Sequence, residues 1–543
     1  MASALLPLMM IVPVVTALVI AFAPPARAKV IATLGSLFGV LLGVIAIGMF
    51  DWSQTAAYQF GSSTPLIEPL GIHLSFGVDA VALWLVVLTQ LLQPLCVWGS
   101  FTAITDRVRT YYGWLMALQA AMVGVFVARD LLLFYVSFEF TLLPMFVLIH
   151  MYGSTNRRKA AIKFFLYTFT GSVIALAGLV YVAMVASRLY GEWSFDIAQL
   201  ERAAQSMSPR EQALVLGAMM AGFAVKVPLF PLHTWLPLAH TEAPTAGSVI
   251  LAGVLLKLGT YAIWRFVLPF VPIATNEYAP LIATICIVGI LYGGLICWVQ
   301  RDVKRLVAYS SVAHLGFCIL GMFALNTAGA SGSILYMLNH GLSTGALFFC
   351  VGFMYERYHT RSLDEVGGLG AKMPVWSFFM VFFALASVGL PGLNGFVSEF
   401  LCLFGTFQSG ADGIGLGGTA AGPRGPWYAA IAGTGMIIAA MYLLQMVGRI
   451  VFGALREPAG HHAHDILPVD LNRREIGILS VLALACVFLG VYPGPVLRTL
   501  EAPISQTMVQ LTDAQSTYQA QRSTSQQLVL RSDHTDSVGG GAP

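Results

Sequence analysis

Fourteen apolar runs of about twenty residues each follow one another along this 543-residue chain, and only short polar stretches separate most of them. Twenty residues of α-helix rise about 30 Å, the hydrocarbon thickness of a bilayer; a membrane β-barrel shows alternating segments of about ten. The chain is 57% hydrophobic and 10% charged, with a mean hydropathy of +0.77, far from the roughly 25% charge of soluble domains. The expected fold is an all-α integral membrane protein. Its spans fall near 4–24, 29–50, 79–101, 111–128, 131–152, 164–187, 211–231, 245–264, 279–298, 306–325, 332–355, 376–404, 427–448 and 476–497. Residues 1–28 superficially match a signal peptide, but they lack a basic start and their apolar stretch is too long, so they read as the first span.

Charge on the connections gives the orientation. Lys and Arg number 18 on the loops after odd-numbered spans and 6 on those after even-numbered spans, with 3 more in the C-terminal tail. Basic loops stay in the cytoplasm, so both termini are expected on the outer side; the long polar tail and the Ala- and Gly-rich spans favour a bacterial plasma membrane. The outer loop 51–77 suits a small β-hairpin. The tail 503–543, rich in Ser, Gln, Thr and Gly, is expected to be loosely ordered, with one short helix near 504–521.

Four charges stand inside apolar runs: Glu139, Lys226, Lys257 and Glu399. A charge at the centre of a membrane helix costs roughly 2.5–3.5 kcal/mol on insertion scales, so such residues tend to be functional. Two of them lie beside breaks. Lys226 precedes Val227-Pro228-Leu229-Phe230-Pro231, and Leu390-Pro391-Gly392 interrupts the run before Glu399. A proline removes a backbone donor, and a freed carbonyl in a membrane needs a polar partner or water. A kink that only shapes packing is the plainer reading of a single proline.

Spacing links the charges. Glu139 and His314 are 175 residues apart, and Lys226 and Glu399 are 173 apart. The spans that hold them are offset by five helices, an odd number, so a second copy would enter the membrane from the opposite side. Two inverted five-helix repeats are therefore expected at helices 4–8 (111–265) and 9–13 (278–450), with broken helices 7 and 12. Helices 1–3 (1–110) precede them, and helix 14 (474–497) and the tail follow. Transporters built this way keep their sites at the bilayer midplane beside broken helices.

A buried Glu alone holds its proton more tightly, a buried Lys more loosely, and a pair keeps both charged. Glu139 and Lys226 could thus switch proton affinity by opening and closing, or could simply brace two helices. Lys257 has no acidic partner on its helix and sits too near mid-span to snorkel easily. His314 and His340 lie among small and hydroxyl residues, and Glu399 has no cation on its own helix. Asp130 reads as a helix cap, and Gln300–Arg305 as a topology determinant. The seven cysteines form no CxxC pair, so no cluster or zinc site is indicated. Gly413–Gly418 formally matches GxGxxG without the strand and helix a dinucleotide site requires. His461, His462 and His464 form a loop cluster capable of adventitious metal binding.

The segments AVKVPLFPLHTWLPLAHTEAPTAGSVILAGVLLKLGTYAIWRF, DVKRLVAYSSVAHLGF and LPGLNGFVSEF resemble the antiporter-like membrane subunits of proton-pumping NADH:quinone oxidoreductase, respiratory complex I. The resemblance spans essentially residues 70–495. Glu399 is similar to the M-type members of that family, whose L- and N-type members carry Lys there. The resemblance implies a proton relay in which Glu139 and Lys226 form a coupled pair, Lys257, His314 and His340 a central axis, and Glu399 a terminal site. It implies no cofactor in this chain; FMN, iron–sulfur clusters and quinone would belong to partner subunits. The neighbours implied are other membrane-arm subunits, especially those of L and N type, within the lipid bilayer and without nucleic acid. Where relatives often have an acid in HTWLPDAH this chain has Leu238, so no role of that acid transfers, and His233 and His240 are expected to cap loops. The alternative within the family is a subunit of a multi-subunit cation/proton antiporter.

Overall fold

The computed structural model describes residues 2–409, 425–458 and 469–538, with side chains through 522. The Gly413–Gly418 match and the histidines at 461, 462 and 464 lie outside these residues. Helices dominate: α1 (Leu5–Phe22), α2 (Pro25–Met49), α3 (Ala80–Gly99), α4 (Val108–Val127), α5 (Leu131–Phe140), α6 (Leu142–Tyr152), α7 (Arg157–Tyr190), α8 (Ile197–Gln205), α9 (Pro209–Lys226) and α10 (Leu236–Glu242). They continue as α11 (Thr245–Phe270), α12 (Pro272–Trp298), α13 (Val303–Met322), α14 (Thr327–Tyr358), α15 (Pro374–Val388), α16 (Asn394–Gln408), α17 (Pro426–Ile450), α18 (Arg473–Val491) and α19 (Gly494–Val538). Among the described residues, twelve helical segments are long and apolar enough to cross a membrane, with α5 and α6 joined as one. The remaining two apolar runs of the sequence are the interrupted ones.

Each interruption has a local cause. Pro228 cannot continue α9; the chain turns until α10 begins, and the indole of Trp235 donates to the freed carbonyl of Val225 at 2.9 Å. Between α15 and α16 the chain breaks at Gly389, whose φ of +82° closes the first half-helix. Leu393 N then donates back to Leu390 O at 3.0 Å before α16 starts. Pro144, just inside α6, lacks the donor that would have tied α6 to the end of α5.

Burial follows position in the bundle. α11 and α14 are each buried throughout an apolar stretch of 18 residues, whereas α1 and α2 bury about one third of theirs. The outer faces of the peripheral helices carry Leu, Phe and Val, as lipid contact demands. The loop between α2 and α3 forms the expected hairpin, with strand Gln59–Ile67 antiparallel to Ile72–Val78.

α19 corrects the reading of the tail. In place of a short helix at 504–521, one helix begins at Gly494 and continues to Val538. Val496, Leu500, Ile504, Met508 and Leu511 are buried along it, a stripe at three- and four-residue spacing that packs it onto α14 and α12. Polar composition concealed that stripe.

Candidate functional site

α11 holds the central lysine, and its geometry is unusual. Two π-type turns, Leu251–Leu255 and Ile263–Val267, lie on either side of Lys257. Such wide turns are rare and recur at functional sites. The first leaves the carbonyl of Ala252 to accept from Lys257 Nζ. Nζ also donates to His340 Nδ1 on α14 at 2.7 Å. The helices meet closely here because Gly341 follows His340: a Cβ at Gly341 would lie 2.8 Å from the Gly253 carbonyl.

From His340 the polar file continues across the core. Its ring centroid lies 5.9 Å from that of His314, with the planes at 64°. His314 Nδ1 is 2.7 Å from the hydroxyl of Tyr336 and 3.3 Å from Glu399 Oε1. Tyr336 donates to the same carboxylate oxygen at 2.5 Å, so His314 Nδ1 is assigned as a donor in this arrangement. Tyr442 faces the other nitrogen, Nε2, at 3.5 Å. Lys257, His340, His314 and Glu399 are each at most 3% exposed. Burial at this depth disfavours charge unless hydrogen bonds compensate it, and Glu399 Oε2 and His340 Nε2 have no partner among the described residues.

An amide latch fixes the file against the broken helix. Asn339 Nδ2 donates to Asn394 O at 2.7 Å, and Asn394 Nδ2 returns a bond to Asn339 O at 3.1 Å. Asn339 immediately precedes His340, and Asn394 opens α16, five residues before Glu399. The latch therefore couples the position of the histidine to that of the half-helix.

Glu139 and Lys226 lie at the α5–α6 junction. Lys226 Nζ donates to Thr141 Oγ1 at 3.2 Å and, more loosely, to Phe138 O at 3.5 Å, and it sits 4.2 Å from the Phe138 ring centroid. No hydrogen bond or ion pair within 4.0 Å joins it to Glu139 among the described residues, and both Glu139 oxygens are buried without a partner. The expected pair is thus present as neighbours in an open arrangement. α11 packs against the end of α9, but no direct bond links Lys226 to Lys257 among the described residues.

Glu399 has no cation on its own helix, and the fold brings it His314 from α13 and Tyr336 from α14. One expectation changes, and it concerns two other histidines. His233 and His240 were expected to cap loops. Instead His240 is fully buried, stacked at 4.6 Å on Phe348, with neither ring nitrogen bonded, and His233 is enclosed by the rings of Phe230, Tyr292 and Tyr309. Asp130 does cap its helix, accepting from Leu132 N at 2.8 Å. Asp302 caps α13 through Arg305 N at 3.0 Å, and Lys304 donates to Ala243 O at 2.5 Å. Tyr336, Tyr442 and the Asn339–Asn394 latch escaped the sequence reading. Tyr336 had a signal, standing one turn before His340; Tyr442 had none.

Interrupted membrane helices around a buried file of lysine, histidine, tyrosine and glutamate define a polytopic membrane protein of the ion-translocating type. Comparison with known proteins makes the class specific. The family model described as NADH:quinone oxidoreductase/Mrp antiporter, transmembrane, matches residues 128–422, and the chain belongs to this family. It is 38% identical over 503 residues to NADH-ubiquinone oxidoreductase chain 4 of Marchantia polymorpha, covering 92% of this chain and 95% of that one. It is 40% identical over 472 residues to NADH-quinone oxidoreductase subunit M of Rhodobacter capsulatus, covering 86% and 88%. A chain of respiratory complex I from Thermus thermophilus with bound NADH superposes with a TM-score of 0.81 at 28% identity, covering 94% of this chain and all of that one.

Proposed function

We propose that this chain is the M-type subunit of a proton-translocating NADH:quinone oxidoreductase and moves protons through its buried file. NADH oxidation and quinone reduction take place in partner subunits that hold FMN, iron–sulfur clusters and quinone. The immediate neighbours are other membrane-arm subunits, of L and N type. The names of the relatives support this reading, and the Lys257–His340 contact carries it, because it joins two ionisable groups at 2.7 Å with no solvent access. The bias of 18 basic residues against 6 supports an orientation with both termini on the outer side.

The steps follow from the donors and acceptors. Lys257 gives a proton to His340 Nδ1, making an imidazolium whose Nε2–H is free to pass on. His314 receives at Nε2 and releases at Nδ1, which faces Tyr336 and Glu399. Lys226 and Glu139 act as the switch upstream: closing their gap favours two charges, and opening it favours neutrality. Moving one proton against 100 mV requires about 2.3 kcal/mol. A swing of two units in proton affinity supplies about 2.7 kcal/mol, so a small rearrangement suffices. The matched spacings of Glu139 with His314 and Lys226 with Glu399 support two inverted repeats, each supplying half of the path.

The test has two parts. Affinity purification of this chain should bring down an assembly that oxidises NADH; an assembly without that activity would favour the stand-alone antiporter. Replacing Glu139 by Gln should leave the assembly intact and abolish proton pumping. Normal pumping in the Gln variant would leave these charges with a bracing role alone.

A further inference from the structure

At the lateral surface, α1 and α4 flank an apolar groove of about 510 Å³, a volume typical of ligand pockets. Its floor is made by small residues, Ala17, Gly113 and Ala117, where the two backbones approach: a Cβ on Gly113 would lie 3.8 Å from Ala17 O. Its walls are Leu18, Trp114 and Phe140. From Arg109 to Ala117 the groove follows about two turns of α4, roughly 12 Å. One leaflet's hydrocarbon is about 15 Å deep.

One end of the groove is charged. Arg109, exposed in the first turn of α4, lines it and reaches Ala21 O at the end of α1 at 3.5 Å. Arg107 lies beside it, and Arg27 and Lys29 open α2 at the same end of the bundle, where Lys29 donates to Phe101 O at 2.8 Å. Asp106 is the one acid within 23–30 and 101–110. A slot with an apolar body, an interfacial tryptophan and a basic mouth matches a molecule with an acyl tail and a negative head. We infer that this groove binds one anionic glycerophospholipid, its phosphate on Arg109 and one acyl chain laid between α1 and α4.

The test uses the intact assembly in nanodiscs with a phosphatidylglycerol probe that carries a photoreactive diazirine in its acyl chain. Peptide mapping should place the crosslink within 10–21 or 109–117. Unlabelled phosphatidylglycerol should compete at least fivefold better than phosphatidylcholine. R109Q should erase that preference, R158Q, in the basic first turn of α7, should keep it, and G113F, which fills the slot, should remove the label for both lipids. Equal competition by the two lipids in the parent protein overturns the anionic head, and labelling untouched by G113F overturns the groove. Should G113F fail to assemble, R109Q alone decides, because its side chain is on the surface. An A117C variant that crosslinks to a neighbouring subunit, with no lipid label, would show a protein occupant and overturn the inference.

Discussion

The hydroxyl of Tyr336 donates to Glu399 Oε1 at 2.5 Å, and His314 Nδ1 reaches the same oxygen at 3.3 Å. Two residues from two helices thus converge on one carboxylate oxygen carried by a third helix in the core. Hydrogen bonds to charged groups contribute about 1.5–3 kcal/mol. Y336F removes one without creating a cavity. Proton pumping by the assembled variant should fall about tenfold or more while assembly is retained. Unchanged pumping would show that His314 alone holds Glu399 in place.

K257R separates charge from proton exchange. Arginine keeps its positive charge but does not release a proton in proteins, and its planar fork cannot reproduce a point donor. Loss of pumping should therefore be as complete in K257R as in K257M, with assembly measured on a native gel. Full activity in K257R would exclude Lys257 as a proton carrier.

Gly389 has two demands on it. Its φ is +82°, and a Cβ there would lie 2.6 Å from Glu399 Oε2. G389A should cost about 1–2 kcal/mol from backbone strain alone and should also displace the carboxylate. A melting temperature lower by a few degrees, together with reduced pumping, is the expected result.

Arg357 on α14 and Glu475 on α18 form an ion pair at 2.7 Å, with side chains 1% and 0% exposed. Removing one member of a buried pair costs about 3–5 kcal/mol, because the other charge stays in a dry site. E475A should therefore reduce the amount of assembled complex, and replacing both residues by Met should recover part of it.

Glu201, on the amphipathic outer helix α8, has its carboxyl raised above the usual range by burial, against the opposing pull of Arg265. The folded chain then binds this proton more tightly than the unfolded chain does. Its contribution to stability is fully present below the ordinary carboxylate value of about 4.3 and is lost as pH rises through the higher folded value. E201Q should melt above the parent at neutral pH, and the difference should shrink toward pH 4.

Much of this was readable in advance. Apolar runs near 20 residues placed the spans, because hydrocarbon leaves the backbone few alternatives. Pro228 and Pro391 marked the broken helices, because a missing donor is a local property of the chain. Pairing across the fold was not readable from the residues themselves; only the family resemblance set Lys257, His314 and His340 on one axis. Lys257 and His340 are 83 residues apart, and nothing in either segment names the other. The π-type turns of α11 also left no trace in composition.

Those wide turns bear on how the chain tolerates change in length. Each admits the equivalent of one extra residue, and one residue in an α-helix corresponds to about 100° of rotation. Deleting a single residue within 251–255 would let α11 close to ordinary pitch while the segments on either side keep their rotational phase, so the 257 side chain would still face His340. The helix would survive, with its apolar character intact, yet its lysine would lose the carbonyl that the wide turn leaves open at Ala252. Along this element the wide turns act as slack, so a one-residue deletion inside one would turn the lysine less than the same deletion in an uninterrupted helix.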